Sequence, residues 1–60
     1  MKKYVVVVWV IDNNGEEDFD SFTFTDKGFA EYNAGYLTKS LLECPHAVKH
    51  FSVHIVEVEA

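Results

Sequence analysis

Tyr4-Val5-Val6-Val7-Val8-Trp9-Val10-Ile11 is an unbroken apolar run near the start of a 60-residue chain, and its reading decides the fold. Six of its eight residues are β-branched, and such side chains fit a pleated surface better than a helix. Side chains alternate between the faces of a strand. Tyr4, Val6, Val8 and Val10 therefore share one face, and Val5, Val7, Trp9 and Ile11 the other. Both faces are apolar, so both require cover.

Working outward, Asp12-Asn13-Asn14-Gly15 ends the run with a turn signal, because Asn and Gly tolerate positive φ. Glu16 to Thr25 reads as a second strand, joined to the first through a two-residue type of hairpin turn. Asp18, Asp20, Phe22 and Phe24 share one parity there, and Phe19, Ser21, Thr23 and Thr25 the other. Its charges suit an edge strand, where they discourage unwanted pairing. Thr25 is the expected helix N-cap, with Phe24 and Phe29 forming a hydrophobic staple around it. From Asp26 to about Glu43 the pattern is helical, with Ala30, Ala34, Leu37, Leu41 and Cys44 on one stripe and Phe29 at its margin. Pro45 disfavours helical geometry at Cys44 and closes the helix. Pro45 to His50 reads as a return loop and Phe51 to Glu59 as a third strand.

The order is β-β-α-β, a single α+β domain over residues 1–60. If the third strand pairs with the first, the sheet is antiparallel throughout, in the order 2-1-3, with the apolar run at its centre. One helix covers one face of it. The other face still carries about four apolar residues of the run and those of its neighbours, and an open apolar face is either an aggregation hazard or a binding site. A chain this short buries only about 60% of its unfolded surface. Cys44 is the single cysteine, which rules out an intrachain disulfide. A homodimer, face to face or edge to edge, is the leading expectation.

Met1-Lys2-Lys3 before an apolar run has the look of a signal peptide, but the run is short and β-branched and lacks a small-residue cleavage site. A cytoplasmic protein is expected. The net charge of −5 argues against direct contact with nucleic-acid phosphates. Half of the carboxylates, those of Asp12, Glu16, Glu17, Asp18 and Asp20, gather around one hairpin. They either keep a small domain soluble or offer a negative surface to a basic protein partner, including one that itself binds nucleic acid. Tyr32 and Tyr36 lie one turn apart on a shoulder of the helix. Two readings stand for them: packing over the sheet edge, or a contact surface of amphipathic aromatics.

No catalytic constellation emerges, no cofactor is implied, and the chain is read as non-enzymatic. Cys44, His46, His50 and His54 are residue types that bind zinc, but their spacing lacks the paired short loops of zinc sites. A metal- or small-ligand-binding domain built on them is the alternative function, as is a structural subunit of a larger assembly. Glu57 and Glu59 share a strand face, which reads as a solvated edge.

In size, acidity and element order, through Val5–Ile11, Phe22-Thr23-Phe24, the helix after Thr25 and Val53–Val58, the chain resembles small phage-encoded proteins that disable host factors. Antitoxins against host ribonuclease toxins and inhibitors of host repair or defence enzymes are examples. The resemblance implies a host protein as partner and inhibition by occlusion. No residue role is carried over from that resemblance; from the residues themselves, the expected contacts are Glu16, Glu17, Asp18, Asp20, Tyr32 and Tyr36, with Val5, Val7, Trp9 and Ile11 serving the core strand or the dimer.

Overall fold

A computed structural model describes residues 1–59. Strands β1 (Lys2–Asp12) and β2 (Glu17–Phe24), helix α1 (Lys27–Leu42) and strand β3 (Val48–Glu59) follow in that order. They form a three-stranded sheet in the order β2-β1-β3, with β1 antiparallel to both neighbours. The expected α+β, β-β-α-β architecture is therefore the one observed. The apolar run lies in the central strand, where both of its edges are hydrogen-bonded.

Register decides which side chains meet. Tyr4, Val6, Val8 and Val10 stand opposite Phe24, Phe22, Asp20 and Asp18 on one flank. On the other flank, Val6, Val8 and Val10 oppose Ile55, Val53 and Phe51. The core is built from this face: Val6, Val8 and Ala30 are buried, and Tyr4, Val10, Phe24, Ala34, Leu37, Leu41 and Val53 pack around them. Ala30 and Ala34 are small enough to bring α1 close to the sheet. Val5, Val7, Trp9 and Ile11 lie outside that cluster. Cover on both faces of β1 is thus achieved on one face only within a single chain.

Three local expectations are corrected. The hairpin loop is longer than two residues: Gly15 donates its N–H to the Asp12 carbonyl and Asp12 donates to the Glu16 carbonyl, both at 3.0 Å. Gly15 takes φ +83°, the left-handed position of a three-residue hairpin loop, which glycine adopts without steric cost. The helix N-cap is Asp26 rather than Thr25. Its carboxylate accepts from Gly28 N at 2.7 Å and Phe29 N at 3.2 Å. Both residues are good caps, and Asp wins because its ionised oxygen makes the stronger bonds to backbone N–H. The staple of Phe24 with Phe29 is lost with that shift. Finally, β3 begins at Val48, opposite Asp12, after a register irregularity between Ile11 and Asp12. The return loop is correspondingly shorter, turned by Ala47 N–H and Val48 N–H donating to the Cys44 carbonyl at 3.1 Å. Asn13 donates to the His46 carbonyl, tying the two loops at this end of the sheet together.

Candidate interaction surfaces

Two groups of exposed large apolar side chains are set by the fold, while Met1, Leu42, and Phe22 and Ile55 on the helix side of the sheet are exposed outside them. The first lies on α1. Phe29, Tyr32 and Tyr36 are 66%, 75% and 62% exposed. Their spacing of three and then four residues stacks them on one shoulder of the helix. Between the two readings of the tyrosines, exposure decides against packing over the sheet edge. Phe29 is the residue that sequence reasoning missed. Its helical angle puts it at the margin of the buried stripe, whereas its spacing to Tyr32 places it with the tyrosines. Shallow grooves flank this ridge, one lined by Asp26, Gly28, Phe29 and Tyr32, the next by Glu31, Tyr32, Gly35, Tyr36 and Lys39. A Cβ added at Gly35 would meet nothing within 4 Å, so the chain's own packing does not require a glycine there.

The second group is the face of the sheet that α1 leaves open. Its central row, Val5, Val7, Trp9 and Ile11, is half-buried, and the exposed apolar side chains of the face are Phe19, Val56 and Val58. Thr23, Ser21, Phe19 and Glu17 stand opposite the row on β2, and Val56, His54, Ser52 and His50 on β3. Trp9 and Phe19 pair with ring centroids 6.4 Å apart at an interplanar angle of 41°, within the range of favourable tilted aromatic contacts. Phe19 is nevertheless 65% exposed. It too was missed as a member of this face, because membership depends on the strand register that the hairpin loop sets.

The acidic hairpin is split by the pleat. Glu17 points to the open face and Asp18 and Asp20 to the helix side, opposite Val10 and Val8. The Asp18 carboxylate accepts from Phe19 N at 3.1 Å and that of Asp20 from Ser21 N at 2.9 Å. Asp12 N bonds across to Glu16, so in this ladder the N–H groups of Phe19 and Ser21 point away from β1, to the free edge. The two aspartates thereby occupy donors that a further strand would need. The carboxylates of Asp12, Glu16, Glu17 and Asp18 line a small polar recess with Val10. It is separate from the grooves of the helix ridge, so the hairpin and the tyrosines form two surfaces rather than one pocket.

Cys44 is exposed, and His46 shares its loop, while His50 and His54 lie on the open face of β3 beside Ile11 and Val7. Among the described residues no three His, Cys, Asp or Glu side chains gather as metal ligands. Glu57 lies 3.6 Å from the Lys2 ammonium, and Glu59 lies 4.0 Å from the N-terminal amine. Both are solvent-exposed ion pairs of small energetic weight. Among the described residues no helix is long and apolar enough to cross a membrane. Comparison with known proteins gave no matching family, no matching curated protein and no matching solved structure.

Proposed function

We propose that this chain is a non-enzymatic interaction protein that binds a basic macromolecular partner and inhibits it by covering its surface. The observation that carries the reading is the ridge of Phe29, Tyr32 and Tyr36. Three large aromatic side chains stand in solvent on one helix shoulder, and the fold makes no use of them. Tyrosine offers a rigid apolar body with a polar tip, the composition that dominates binding hot spots. Gly35 beside them costs the helix roughly 1 kcal/mol relative to alanine, and it leaves a shallow floor between the rings for a partner's side chain or backbone. The carboxylates of Glu16, Glu17, Asp18 and Asp20 supply the second element. Together with the net charge of −5, they favour encounter with a positively charged surface and repel nucleic acid itself. Inhibition of a host factor by a phage-encoded protein is the form that the resemblance in size and element order gives to this reading.

Affinity capture with the wild-type chain, compared with Asp18→Lys combined with Tyr36→Ala, tests it. The expectation is a partner that the wild type retains and the double variant releases. Tyr36→Ala alone should weaken a purified complex by at least about tenfold, as hot-spot truncations do. Asp18→Lys alone should mainly slow association and reduce its dependence on salt. A partner held equally by both chains sinks the assignment of these residues.

A further inference from the structure

We propose that the open sheet face is closed by a second copy of this chain. The two β1 strands run antiparallel across the interface, and a two-fold axis passes at Val7. The proposed interface does not use the helix ridge of the partner-binding reading, and of that reading's hairpin carboxylates it uses Glu17 alone.

The shape of the single chain shows the need for cover. A compact protein of 6.9 kDa exposes about 4,000 Å², whereas this one exposes 4414 Å². Its Cα radius of gyration is 12.5 Å, against about 10 Å for a compact domain of this length. The fold is a slab of 40 × 19 × 10 Å with one broad side uncovered. Strands of eight, eleven and twelve residues spaced about 4.8 Å apart give a face of roughly 500 Å², by the strand rise and spacing. Two such faces bury about 1,000 Å², the lower bound for a specific interface, which places dissociation in the micromolar range.

Charge argues for a second copy as the occupant. Of the ten carboxylates in the chain, the open face carries Glu17, placed opposite Ile11. Asp18, Asp20 and Glu57 lie on the helix side, opposite Val10, Val8 and Tyr4. Lys3, of the same parity as Val5, balances Glu17. Two chains that each carry a net charge of −5 can meet on this face, where a lysine offsets its one carboxylate. Pairing through the β2 edge is opposed by Asp18 and Asp20, which hold its outward N–H groups.

The relief of the face fixes the orientation. Trp9 and Phe19 stand opposite one another and make one end bulky. Val5 and Thr23 make the other end low. Stacking with β1 strands parallel would set Trp9 on Trp9 and leave a gap over Val5. Antiparallel stacking sets Trp9 and Phe19 of each copy over Val5 and Thr23 of the other, so the layers meet evenly at the usual spacing of about 10 Å. The same arrangement carries Lys3 of one copy to the Ile11–Glu17 corner of the other, where opposite charges face.

Sedimentation velocity from about 1 to about 100 µM, the range in which an interface of this size dissociates, reads the outcome. The expected result is a shift from the 6.9 kDa monomer to twice that mass, with Trp9 emission moving to shorter wavelength in step. Val7→Lys places two like charges against each other at the axis and should hold the chain monomeric. Lys3→Glu and Glu17→Lys change exposed side chains without touching the core, so circular dichroism should stay unchanged. Each should weaken the dimer several-fold, and the two combined should restore it. Tyr36→Ala and Asp18→Lys should leave it as it is. A monomer across the whole range overturns the proposal. So does a dimer indifferent to Val7→Lys, or one in which the combined exchange fails to rescue either single change.

Discussion

Asp26 and Gly35 show how unequal single positions are in so small a fold. The Asp26 carboxylate bonds two N–H groups of the first turn of α1, so Asp26→Ala should cost about 1 kcal/mol. In a domain of this size, that lowers the thermal midpoint by about 4–8 °C, readable by circular dichroism. Gly35 sits mid-helix with open space where a Cβ would go, and Gly35→Ala should raise stability by up to about 1 kcal/mol. Gly28 is the useful contrast. A Cβ there would lie 3.1 Å from the Asp26 carboxylate oxygen, so Gly28→Ala crowds the cap and should gain less than Gly35→Ala in the same melting experiment. Asn33 adds a third case: its side-chain carbonyl is buried without a hydrogen-bond partner. Asn33→Ala removes that unpaired acceptor and improves helix propensity, a gain of about 1 kcal/mol.

Among elements, β1 serves two purposes on its two faces, and substitution separates them. Val6 is fully buried at 0% exposure, and Val6→Thr places a hydroxyl where nothing receives it, at a cost of about 2 kcal/mol. Val7 is one residue away but on the open face, so Val7→Thr should shift denaturant stability of the dilute monomer by less than about 0.5 kcal/mol. Equal losses at the two positions would mean that the open face is covered within one chain. The strand order was readable from the sequence because a run apolar on both faces belongs at the centre of a sheet. Which of its faces α1 covers was not, because both alternating sets are apolar. The element ends were less readable. Thr25 and Asp26 are both caps, and which one acts depends on carboxylate geometry that no spacing encodes. Phe29 looked like core because its helical angle adjoins the buried stripe, yet α1 turns it outward. Phe19 joins Trp9 only once the loop at Gly15 has set the register. The hairpin carboxylates looked like one surface in the sequence, and the pleat divides them.

At the scale of the whole molecule, the proposed association adds to a stability that the single chain holds only narrowly. The fully closed core is small: Val6, Val8 and Ala30 are the buried apolar residues, and burial against chain entropy comes out near zero for a chain of this length. A second copy over Val5, Val7, Trp9 and Ile11 roughly doubles the number of sheet faces that are kept dry. Anything that binds the native state and not the unfolded one adds stability by mass action. For a pair that unfolds to two free chains, each tenfold rise in concentration then adds the free energy of one decade. Spread over the unfolding entropy of both chains, this raises the thermal midpoint by about 5 °C per decade. The wild-type midpoint should therefore climb with concentration. That of Val7→Lys should stay flat and meet the wild-type curve at the dilute end, where the wild type is a monomer too. A flat wild-type curve would place all of the stability in the single slab, and the open face would then contribute nothing to holding the fold.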